Sequence, residues 1–102
     1  MSLASDRSLH CLASAPESLA GQRLLAQLEK DDPVLLNGQA VVLAAASHPS
    51  ITDWLATGAL IHALKEDLLA HGITDLHSSV VSTDYAGWVS LSEIYRTQVL
   101  WR

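Results

Sequence analysis

The stretch Ile61-His-Ala-Leu-Lys-Glu-Asp-Leu-Leu-Ala-His-Gly-Ile73 changes its hydrophobic period in mid-course. The apolar run 59–64 is short and does not alternate, which suits a strand covered on both faces. From Lys65 the spacing becomes helical: Leu64, Leu68 and Leu69 fall on one face, and Glu66 and Asp67 sit in the first turn, where the helix dipole favours negative charge. His71 stands in the last turn, and Gly72, free to take positive φ, ends it. A buried strand feeding a short amphipathic helix is half of a βαβ unit, so this one segment predicts a parallel sheet.

The flanking sequence repeats the alternation. Strands are predicted at 8–12, 34–36, 79–82 and 98–101. Ser14 with Glu17 three residues on reads as a capping box, with Pro16 in the first turn of a helix that carries Leu19, Leu24, Leu25 and Leu28 and stops before Pro33. Asn37-Gly38 is a turn signal, and the Ala-rich 39–46 favours a short helix. Ser50 and Asp53 form a second capping box, opening a helix with Ile51, Trp54 and Leu55 that Gly58 closes. Asp84 is a good N-cap for a last helix with Tyr85, Trp88, Val89, Leu91, Ile94 and Tyr95 at helical spacing. The predicted fold is a three-layer α/β sandwich with a small, mostly parallel sheet of four or five strands, whose sites are expected at the strands' carboxyl ends.

At 102 residues only one domain fits, with a core that buries roughly two-thirds of the unfolded chain's surface. Residues 8–102 are assigned to it and residues 1–7 to a flexible N-terminal extension. Six Lys and Arg against a net charge of −5 argue against a direct grip on nucleic acid. No run approaches the ~20 apolar residues of a membrane span, and the polar start lacks the apolar core of a secretion signal, so a cytoplasmic location is expected. The abundance of Ala, Leu and Val exceeds what one small core hides, which points to a surface shared with another subunit.

Reactive candidates are few. Cys11, the single cysteine, excludes an internal disulfide and multi-thiolate metal sites. As a sulfur nucleophile it would need to be a partly exposed thiolate, and His10 cannot be its base because adjacent strand residues point to opposite faces. Burial as a small hydrophobe is the stronger reading. The histidines 10, 48, 62, 71 and 77 show no ligand spacing, so no metal is expected. His62 reads as a core or interface side chain, and His71 as a complement to a helix C-terminus. Glu66 and Asp67, about 100° apart on a helix, are better explained by capping and solvation than as an acid/base pair. Isolated glycines exclude phosphate loops, no serine elbow is present, and no cofactor is expected. In a Phe-free chain, Trp54, Trp88 and Trp101 are candidate interface anchors, as are His62 and Tyr95.

Two C-terminal blocks carry a family resemblance. The segment from Ile61 to Ile73 is similar to the motif Val-Tyr-Ala-Leu-x-Glu-Asp-Leu-x-Ala-Arg-Gly-Leu of the TusB/DsrH family of sulfur-relay proteins. Asp84-Tyr-Ala-Gly-Trp88-Val-Ser-Leu-Ser92, followed by Trp101, is similar to that family's Asp-Tyr-x-x-Phe-Val-x-Leu-Thr and closing Trp. Leu9-His10-Cys11 and Val34-Leu35-Leu36-Asn37-Gly38 match less closely. The resemblance implies a small α/β subunit that joins TusC/TusD-like (DsrF/DsrE-like) chains in a heterohexamer. In the Tus system such a complex passes persulfide sulfur toward 2-thiolation of a tRNA wobble uridine, with the carrier cysteine on TusD; in the Dsr system it serves sulfur oxidation. Leu24 stands where DsrH-type members have a cysteine, which favours a non-catalytic, TusB-like role. Tyr95 departs from the family's usual His. The alternatives are a persulfide-carrying, sulfurtransferase-like protein using Cys11, a DsrH-like subunit in sulfur oxidation, and a stand-alone homo-oligomer.

Overall fold

The computed structural model describes residues 7–102. Five strands, β1 (Leu9–Leu12), β2 (Pro33–Leu36), β3 (Leu60–Leu64), β4 (Val81–Thr83) and β5 (Gln98–Trp101), form one sheet. Their order is β4-β3-β2-β1-β5, and every pairing is parallel. The connections are helices α1 (Leu19–Gln27), α2 (Ile51–Ala56), α3 (Lys65–Ala70) and α4 (Tyr85–Ile94), with a 3₁₀ segment, Gly38–Ala44, ahead of α2. The fold is the α/β architecture expected from the strand-to-helix switch, with five strands.

Chain order decides which face each helix covers. β1 through β4 are laid down in one direction across the sheet, so right-handed crossovers put α1, the 3₁₀ segment, α2 and α3 on the same side. There Leu24, Val41, Ile51, Trp54 and Leu68 meet the strand residues Leu12, Val34, Leu36, Ile61 and Ala63 in the main core. The return from β4 to β5 runs the other way, and the same handedness sends α4 across the opposite face alone. Only a small second cluster forms beneath it, Leu9, Cys11 and Leu35 against Trp88, Leu91 and Tyr95.

Several local expectations shift. Helix α1 starts at Leu19, and its cap is Ser18, whose side chain accepts from the Gly21 N–H at 3.2 Å. The Ser14–Glu17 box is not used, because Pro16 and Glu17 form a turn in which the Ser18 N–H donates to Ala15 O at 3.0 Å. Ser50 precedes α2 but makes no side-chain cap; its own N–H donates to His48 Nδ1 at 3.1 Å. The predicted helix over 39–46 is a 3₁₀ turn that ends where Ala45 bridges Leu76, since Ala44 O and the Ala46 N–H are taken sideways by His77 and Asp75. β4 begins at Val81, two residues later than expected. Residues 1–6 of the expected extension lie outside the described residues, whereas Arg7, counted with it, donates from Nη1 to Asp32 Oδ1 at 2.7 Å. That ion pair ties the chain to the domain just before β1.

Candidate functional site

Parallel strands bring their carboxyl ends and following loops together. At that end a cavity of about 410 Å³ lies among β1, β5 and α4, lined by Cys11, Ala13, Asn37, Trp88, Gln98, Leu100, Trp101 and Arg102. Cys11 reaches it with little surface, being 3% exposed. Its Sγ–H donates to Gln98 Oε1 at 3.7 Å, and the same oxygen accepts from Trp88 Nε1 at 3.4 Å. Burial pushes the thiol up to about 11, so at neutral pH it keeps its proton. Although Arg102 borders the cavity, burial is the sole cause of the shift, and no cation draws the thiol toward thiolate.

Alternation along β1 separates His10 from Cys11, as the sequence predicts. His10 accepts from Trp101 Nε1 at 3.1 Å, with the two rings 6.0 Å apart. Burial lowers its pKa, and the Asp32 carboxylate opposes part of that effect. The other histidines each have a local use. His48 Nδ1 and His77 Nδ1 accept backbone N–H groups two residues on, and His71 Nδ1 donates to Asp67 O at the end of α3. Among the described residues no group of His, Cys, Asp and Glu is arranged to hold a metal.

Asp67 does more than complement a helix dipole. Its Oδ2 accepts the Gly38 N–H at 2.7 Å, joining the start of α3 to the turn after β2. Gly38 has φ +52°, and a Cβ there would meet Ala13 O at 3.0 Å, so this turn is built for glycine. An acid beside a predicted helix start carried no sign of that partner, 29 residues away in sequence. Close to these groups in the chain, Asn37 Oδ1 and Glu66 Oε1 are buried without a hydrogen-bond partner.

The interface candidates divide. Trp54 is 1% exposed and packed in the main core, so it offers nothing to a partner; the turn-by-turn spacing of α2 points it at the sheet with Ile51. Trp88 and Tyr95 are partly buried on the small cluster, and Trp101 is partly buried against the main core. His62 lies on the α4 side of β3, its Nδ1 and Thr83 Oγ1 sharing a hydrogen bond of 3.0 Å, and burial lowers its pKa. Around it the surface is apolar. Of the eight large apolar side chains exposed among the described residues, six belong to this side: Leu60, Val81 and Leu100 on the sheet, and Tyr85, Val89 and Ile94 on α4. Helix α4 buries none of its own residues.

The family described as DsrH like protein matches residues 13–98. This chain belongs to the DsrH-like family. Relatives in the family include the protein named TusB of Salmonella dublin, 31% identical over 94 residues that span 91% of this chain and 99% of the relative. TusB of Salmonella arizonae is equally similar over the same shares, and TusB of Pectobacterium parmentieri is 29% identical over 91% of this chain and 99% of its own length. Leu24, where the resemblance places the counterpart of a DsrH-type cysteine, is fully buried in α1 as part of the main core. No helix among the described residues is long and apolar enough to cross a membrane.

Proposed function

We propose that this chain is a non-catalytic subunit of a cytoplasmic sulfur-relay complex, joining TusC/TusD-like subunits and supporting persulfide transfer toward 2-thiolation of the tRNA wobble uridine. The observation that carries this reading is the one-sided surface: six of the eight exposed large apolar side chains stand on the side of the sheet that has a single, incompletely buried helix. A face of this kind is what an assembling subunit offers, since contiguous apolar surface on a soluble chain marks a contact site. Membership of the DsrH-like family supports the choice of pathway class. The buried thiol argues against the carrier alternative, because sulfur acceptance requires an accessible thiolate.

Co-expression with the TusC/TusD-like chains and native mass measurement tests assembly. A complex containing this chain in equal stoichiometry with both is expected, and a chain that stays apart from them refutes the proposal. The pathway is read in cells lacking the chain, whose wobble uridine should lose its 2-thio group; an unchanged level of that modification would favour the sulfur-oxidation branch.

A further inference from the structure

The four helices are held to the sheet very unequally. Leu24 of α1, Ile51 and Trp54 of α2 and Leu68 of α3 are buried in the main core, whereas α4 buries none of its residues. It runs from the carboxyl end of β4 to the amino end of β5, so it crosses the sheet diagonally. The amino ends of β3 and β4 are left bare, and a cavity of about 510 Å³ opens there beside His62. Trp88, Leu91 and Tyr95, the inward residues of α4, are only partly buried on Leu9, Cys11 and Leu35. Two more cavities, of about 410 and 310 Å³ and both bordered by Trp88 and Gln98, leave the seam between α4 and β5 loosely filled. Among the described residues one side-chain hydrogen bond joins α4 to a strand, from Trp88 Nε1 to Gln98 Oε1, and at 3.4 Å it is long.

Nor does the sequence of α4 hold it in place. Gly87, Val89, Ser90, Ser92 and Ile94 are poor helix formers, and a helix of 10 residues is marginal in water without packing. Ser90 and Ser92 turn their hydroxyls back to Ala86 O and Val89 O, a habit that bends helices. Both flanks, by contrast, are fixed: Thr83 is buried with its hydroxyl on His62 Nδ1 at 3.0 Å, and the Leu9 N–H donates to Thr97 O at 2.9 Å where β5 joins β1. We infer that α4 is a flap, which leaves the sheet by itself between Asp84 and Arg96 and bares Cys11 while the strands and the main core stay folded. Segments that bury little apolar surface open at the lowest free energies within a folded chain. Tethered at both ends, the flap reseats quickly, so the open form is a minor state and the thiol is shielded almost all of the time. Access to Cys11 is then a property of α4, set independently of the stability of the core. Cys11 also reports the motion, being 3% exposed and sharing Gln98 Oε1 with the Trp88 that stands over it.

The test follows iodoacetamide labelling of Cys11 by intact mass in the full folded chain, beside a urea titration of global stability. Wild type should label roughly a hundredfold or more slower than the urea-unfolded chain, yet at least about tenfold faster than global unfolding permits. Leu91→Ala, at the centre of the α4 contact, should speed labelling about tenfold. Ile51→Val, on the other side of the sheet, should lower the urea midpoint and leave labelling within about twofold of wild type. Labelling that tracks global unfolding, and rises in step with the stability lost in Ile51→Val, would overturn the inference, because Cys11 would then be reached only when the whole chain unfolds. Labelling as fast as in the unfolded chain would overturn it too, since no closed form would exist. Should Leu91→Ala fail to fold, hydrogen exchange of the wild type decides. The amides of residues 88–94 are expected to exchange through an opening of lower free energy than those of β1 and β5; equal protection in α4 and β5 would mean that the two leave together, and the flap would be refuted.

Discussion

Cys11 illustrates how one residue's environment settles its chemistry. A strand residue facing a layer only one helix thick could have met solvent, yet Trp88 and Gln98 close over it, and the thiol keeps its proton well above neutrality. Incubation with a small persulfide donor at pH ~7 should leave the intact mass unchanged; a one-sulfur gain that vanishes in Cys11→Ala would revive the carrier reading. Reactivity toward iodoacetamide should rise by orders of magnitude once urea unfolds the chain. Trp54 makes the opposite point about apolar size. It fills the middle of the main core, and Trp54→Ala should lower the unfolding free energy by about 3–5 kcal/mol in urea titration, where a true surface anchor would lose under about 1. From composition alone the three tryptophans were equivalent candidates. Burial separates them, because it depends on which helix crosses which face.

The helices show where local signals suffice and where they mislead. Asp84 was legible as a cap: its Oδ1 accepts the Gly87 N–H at 2.7 Å, and Asp84→Ala should cost about 1 kcal/mol, seen as a lower denaturation midpoint. Ser14 and Glu17 matched a capping box equally well, yet the chain uses Ser18, because Pro16 is buried in the preceding turn and the helix begins only after it. Gly21 records that packing. A Cβ there would lie 2.1 Å from Pro16 O, so Gly21→Ala should destabilise by roughly 1–2 kcal/mol although alanine favours helix; a stabilised variant would mean the turn can move freely. The capping box counts residues along the chain and is blind to the turn that packs against them.

For the whole molecule, pH dependence adds up from buried groups. His10 and His62 both hold pKa values lowered by burial, so the folded chain resists protonation that the unfolded chain accepts near ~6.5. Their contribution is complete above that value and is lost as pH falls below it; the urea midpoint should drop there, less steeply in His62→Gln. The raised thiol acts at the other end, with stability lost as pH climbs toward about 11. A flat profile across the acidic window would contradict the burial of both rings. What the order of residues already contained was the alternation of buried strands and amphipathic helices, hence the parallel sheet, and the separation of His10 from Cys11, since these follow from periods of two and 3.6 along the chain; the DsrH-like motifs were legible too, by resemblance of particular residues rather than by period. Strand order, and with it the lone helix on one face, the Asp67–Gly38 link and the bare cavity beside His62, came only from folding in three dimensions. Those features join residues distant in sequence, and no local period encodes which strand lies next to which.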